Sequence, residues 1–188
     1  MQYTIYLISL ILLVAGCQPP ASQLADYAQV QENFTEAQVA DLDRIIRFFQ
    51  THSCSDAFSR ECWESSALQN DFTLDFSAQR ALYQELNSGV TGYFWLVGWQ
   101  NRADDSLAYQ FYTPDGPYLQ FLKALAEEKE EVKAYVEELI NFGDIGPKLN
   151  QLYYRQRKEW DVSDPRIQLI IAIHELSVWD QRGRKEPL

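Results

Sequence analysis

The chain has 188 residues, 27 of them acidic and 16 basic, for a formal net charge of −11 at neutral pH. That length suffices for one ordinary domain with a real core. The acidic balance argues against nucleic-acid binding and against a body surface that holds anionic headgroups, because like charges repel.

The first element in the chain is an apolar run, Ile5 to Gly16, in which Ser9 is the only clearly polar position. As a helix it would span roughly 18 Å, short of the hydrocarbon core of about 30 Å, so it suits the apolar centre of a secretory signal better than a membrane span. The run ends in Val14-Ala15-Gly16-Cys17. This stretch resembles the lipobox, the cleavage and lipid-attachment motif of bacterial membrane lipoproteins. The resemblance implies a signal peptide over 1–16, a Cys17 sulfur alkylated by a diacylglyceryl group before cleavage, and a mature chain carrying two or three acyl chains, palmitate among them. One acyl chain binds a membrane marginally, whereas several anchor it. It implies a membrane partner through that lipid, and, with Gln18 rather than Asp after the cysteine, placement at the outer membrane facing the periplasm. MQYTIY departs from the pattern in having no Lys or Arg. The competing reading is a hydrophobic N-terminal helix kept in the fold, with Cys17 a plain thiol.

Residues 17–33 read as a lipidated tether, with Pro19-Pro20 extended and little apolar content, and with room for a short helix near 22–31. A single mostly helical domain is expected over 34–182, with a loose polar tail over 183–188. Thr35 and Gln38 form a capping box, and Phe34 and Val39 a hydrophobic staple. Val39, Leu42, Ile45, Ile46 and Phe49 then recur at helical spacing to about Thr51. A second helix is read from Ser77 to Ser88, with Ala81, Leu82 and Leu86 inward. Residues 93–99 and 107–113 are aromatic and β-branched on either side of a polar turn, which predicts a β-hairpin over about 93–113. An isolated hairpin is marginal, so it is expected to pack on the helices.

Thr113-Pro114-Asp115-Gly116 reads as a turn, followed by a helix from Pro117 to Asn141 that breaks or bends at Glu127-Glu128-Lys129-Glu130-Glu131, where the apolar stripe lapses. Gly143 to Pro147 is a stop and a restart. A helix from Pro147 to about Lys158 follows, with Leu149, Leu152 and Tyr153 inward. Asp164-Pro165 caps a last helix over 165–180 that is apolar on much of its circumference, as the centre of a core must be. The fold class expected is therefore mainly α, a helical body with one packed β-hairpin. The segments GDIGP and DPRIQLIIAIHELSVWD resemble an uncharacterised group of exported bacterial lipoproteins, a likeness over the C-terminal third that implies no activity.

Cys54 and Cys62 are an even remainder in an exported chain and read as a disulfide. On one continuous helix they would lie about 12 Å apart, too far for a bridge, so the disulfide predicts that no single helix spans both. The closed loop would contribute at most about 2.6 kcal/mol. The rival is a metal site of His52, Cys54 and Cys62, whose spacing matches no common zinc pattern.

His174-Glu175 lacks the second histidine that a zinc metallopeptidase needs four residues on, where Val178 stands; a hydrogen-bonded core histidine is the simpler reading. No G-x-S-x-G elbow and no phosphate loop occurs. Asp104-Asp105 and the glutamates of 127–131 read as solvated acids rather than a catalytic pair facing across a cleft. No catalytic residue, metal or cofactor is assigned. The binding candidates are Tyr93, Trp95, Trp99, Tyr109 and Tyr112, aromatic side chains able to stack on a sugar or grip a partner chain. The function expected is a lipid-anchored cell-envelope protein, non-enzymatic, serving binding or structure with an envelope protein or glycan as partner; the alternative is an envelope hydrolase acting on wall glycan or peptide.

Overall fold

The computed structural model describes residues 23–54, 61–62, 76–87, 95–102, 105–113 and 115–183, with only the backbone described in the strands and at a few helix positions. Among these residues lie seven α-helices: α1 (Ala28–Asn33), α2 (Glu36–Cys54), α3 (Phe76–Glu85), α4 (Pro117–Glu128), α5 (Glu130–Phe142), α6 (Pro147–Gln156) and α7 (Pro165–Gly183). A 3-10 turn precedes α1 at Leu24–Asp26, and another extends α6 at Arg157–Glu159.

The helix ends follow local chemistry. The Thr35 amide donates to Gln38 Oε1 at 2.7 Å, and the Gln38 amide donates to Thr35 Oγ1 at 3.4 Å, so the capping box opens α2 from both sides. Lys129 leaves helical geometry at φ −118° and ψ 99°, which separates α4 from α5 inside the charged run. Gly143, at φ 73°, ends α5 in a left-handed conformation that a side chain would strain. At the turn before α4 the left-handed residue is Asp115 (φ 55°), not Gly116. Gly116 is required for a different reason: a Cβ there would come within 3.1 Å of Thr113. The Asp164 carboxylate caps α7 by accepting the Arg166 amide at 2.9 Å, with Pro165 in the first helical position.

Helix α7 is the centre. From Arg166 to Val178 every residue except Gln168 is buried. A helix covered all round needs neighbours on every side. Its main packing partner is α2, with α3 also against it, while α4 pairs with α5, α5 with α6, and α1 with α4. Ile167, Leu169, Ile170, Ile171, Ile173 and Leu176 are fully enclosed, together with Leu42 and Ile45 of α2 and Leu122 and Leu125 of α4.

Two expectations are corrected. The architecture of a helical body with one packed β-hairpin over about 93–113 does not hold: the described body is helical throughout, and no strand enters its described core. The backbones of β1 (Trp95–Arg102) and β2 (Asp105–Tyr112) pair antiparallel, Trp95 opposite Tyr112 and Trp99 opposite Ala108, and among the described residues each makes its substantial contacts with the other. The physical reason is that aromatic alternation encodes strand compatibility but says nothing of what covers the strand; the helices enclose α7 among themselves. In α3 the inward residues are Gln79, Leu82 and Leu86, and Ala81 is exposed. Ahead of Phe34, Leu24 and Val30 are fully buried.

Candidate functional site

Two polar clusters sit on α7, and a groove opens beside it. The inner cluster is built on His174 and Glu175, both enclosed by α5 and α6. The Tyr135 hydroxyl lies 3.1 Å from His174 Nδ1, and Asn150 Oδ1 lies 2.9 Å from His174 Nε2. An amide oxygen only accepts, so Nε2 carries the proton and Nδ1 accepts from tyrosine. The ring stacks on Tyr153 with centroids 3.8 Å apart. Burial, and then the nearby Arg157 charge, depress the imidazole to about 3, so it is neutral.

The Tyr153 hydroxyl donates to Glu175 Oε1 at 3.0 Å, and Arg157 Nη1 lies 3.9 Å from the same oxygen. Burial first, and the Glu175 charge second, hold the phenol well above its usual range, so it stays a donor. Trp160 closes the cluster edge-on to Tyr135 and donates its indole N–H to the Glu131 carbonyl at 2.8 Å. With every ring enclosed and His174 spent on two hydrogen bonds, this arrangement is core chemistry. It offers no reacting atom to a substrate. The core reading of His174 matches this geometry.

The outer cluster centres on Arg166, buried at the start of α7. Its guanidinium donates to Asp164 Oδ2 at 2.7 Å, to both oxygens of Glu128 at 2.8 and 2.9 Å, and to Gln29 Oε1 at 3.2 Å. The Tyr27 ring faces it at 4.1 Å. Lys129 adds a second cation 2.9 Å from Asp164. Burial opposes the Asp164 charge, but the hydrogen bonds from Arg166 and Lys129 outweigh it and lower the carboxyl. The Arg166 hydrogen bond likewise lowers Glu128. One residue thus joins the N-terminal segment, the end of α4 and the start of α7. Sequence reasoning did not find it: the only signal was an arginine at the head of an otherwise apolar helix.

The groove, roughly 400 Å³, lies between α2 and α3, with Arg44, Arg47 and His52 on one side and Leu82 and Glu85 on the other. Arg44 is held by Asp41 at 2.6 Å, and His52 Nδ1 lies 2.8 Å from the Phe48 carbonyl with its ring 4.1 Å from that of Phe48. These polar groups are engaged locally rather than aimed together at one point.

The remaining sequence-derived sites fare as follows. Cys17 and Tyr93 lie outside the described residues. Trp95, Trp99, Tyr109 and Tyr112 are described by backbone alone. The Cys54 side chain lies outside the described residues, so its disulfide with Cys62 stays a proposal, as does the zinc site considered with His52. Of the acids of 127–131, Glu128 pairs with Arg166, Glu130 with Lys133 at 3.3 Å and Glu131 with Lys129 at 3.9 Å. Among the described residues no group of three or more His, Cys, Asp or Glu could hold a metal, and no helix is long and apolar enough to cross a membrane. Comparison with protein-family models, with curated proteins and with solved structures finds no match.

Proposed function

We propose that the chain is a lipid-anchored protein of the bacterial cell envelope, held through Cys17 and acting by binding or as a structural element rather than by catalysis. The observation that carries this reading is Val14-Ala15-Gly16-Cys17 at the end of an apolar run too short to span a bilayer. Gln18 directs it to the outer membrane, facing the periplasm. The Cys54–Cys62 disulfide belongs to the same reading, since an oxidising compartment permits it. The partner is an envelope protein or glycan, with Tyr93, Trp95, Trp99, Tyr109 and Tyr112 as the candidate contacts, because aromatic rings supply large stacking area. The alternative of an envelope hydrolase acting on wall glycan or peptide has no specific observation in its favour among the described residues.

The test is metabolic labelling with radioactive palmitate. Wild-type protein takes up label and fractionates with membranes; Cys17→Ser takes up none and leaves the membrane fraction. Equal labelling of the two, or none in either, overturns the reading.

A further inference from the structure

We infer that the segment Leu24–Asn33 is a strap that fixes how far the anchored body can stand from its membrane. This rests on the reading of Cys17 as the lipid-bearing residue.

Composition reads 17–33 as a tether with room for a short helix near 22–31. A free chain from Cys17 to Phe34 would reach up to about 60 Å at full extension. The folded segment removes most of that length. Leu24 and Val30 are fully buried, and the Phe34 ring lies 5.9 Å from that of Phe121 on α4. Tyr27 faces the Arg166 guanidinium, and Gln29 is bonded to Arg166 and to Glu128. The strap is therefore held at several separate points by α4 and α7.

Only residues 18–23 then separate Cys17 from the first buried residue. Fully extended, they reach at most about 25 Å. That exceeds the screening length of about 8 Å at physiological salt, so the acidic body can stand clear of anionic headgroups. It cannot travel further without undoing the strap.

The test uses the full lipidated chain bound to bilayers of phosphatidylethanolamine and phosphatidylglycerol. Hydrogen exchange is followed over residues 24–33, and the stand-off of the protein layer is read by neutron reflectometry. Exchange in the wild type is expected to be at least about 100-fold slower than in a free chain, with the near edge of the layer within about 25 Å of the headgroups. Val30→Asp places a charge in the buried face of α1, leaving α7 untouched. It should bring exchange over 24–33 to within about tenfold of the free-chain rate while 117–183 stay protected, and shift the layer outward. Should that variant unfold altogether, Tyr27→Ser reads the same effect at smaller amplitude. Free-chain exchange in the lipidated wild type overturns the strap alone, as does a freed strap with unchanged stand-off. An unlipidated Cys17, seen by mass in the same sample, overturns the functional reading and this inference together.

Discussion

At its first turn α7 buries the Arg166 guanidinium by surrounding it with carboxylates; two turns on, it buries the His174 imidazole by keeping it neutral. Arg166 sits where α7 begins, beside a Glu128 carboxylate that is 46% exposed, so solvent shares the cost of holding charge there. His174 is fully enclosed among Tyr135, Asn150, Tyr153 and Arg157 and has no such help. Charge is retained at Arg166, where three polar partners meet the guanidinium and water reaches one of them, and lost at His174, where no carboxylate meets the ring and the nearby charge is a cation. The outer cluster ties elements distant in sequence; the inner one sets how α5 and α6 pack on the centre.

That contrast breaks most visibly at Glu175. Glu175→Ala removes the enclosed carboxylate between the Tyr153 hydroxyl and Arg157, and should lower unfolding free energy by about 3–5 kcal/mol in urea titrations. A loss below about 1 kcal/mol would mean that removing the enclosed carboxylate costs no more than breaking an exposed ion pair.

Acid separates the two clusters by pH window. The folded pKa of His174 lies far below its unfolded value of about 6.5, so the unfolded state takes up the proton first. Stability should fall by up to about 1.4 kcal/mol per pH unit between pH 6.5 and 3. The outer carboxylates, Asp164 and Glu128, are lowered in the fold; their contribution is present above the unfolded carboxylate range and is lost as pH falls from that range through the lower folded values. Thermal melts of His174→Gln should therefore lose the slope above pH 5 and keep the acid limb below it. An unchanged slope would assign it to other groups.

A smaller test weakens one hydrogen-bonding group in each cluster. Tyr153→Phe withdraws the donor to Glu175 and should cost about 1–3 kcal/mol, because the oxygen left behind is enclosed. Glu128→Gln, with its oxygens half in water, should cost under about 1 kcal/mol, and less still in high salt. Equal effects would erase the difference between the two clusters.

Much of the frame was readable from residues that act locally. Thr35 with Gln38, Asp164 with Pro165, and Gly143 each set a helix end through chemistry within four residues, and the lapse of the apolar stripe at 127–131 located the break at Lys129. What escaped depends on contacts distant in sequence. Nothing near Gln79 indicates that its amide donates to the Leu176 carbonyl at 3.0 Å, so the more apolar Ala81 looked like the inward residue. Arg166 meets Glu128 and Gln29 across long stretches of chain, and the strap became visible only with them. The aromatic alternation of 93–113 described a strand pattern but carried no information on packing, which is why the expected packed hairpin failed.

The most direct measurement of the central claim is the mass of the N-terminal peptide from protein isolated from a membrane fraction. The account predicts a peptide that begins at Cys17 and carries a diacylglyceryl group with its acyl chains. A peptide that still contains residues 1–16 ahead of an unmodified Cys17 thiol would contradict it.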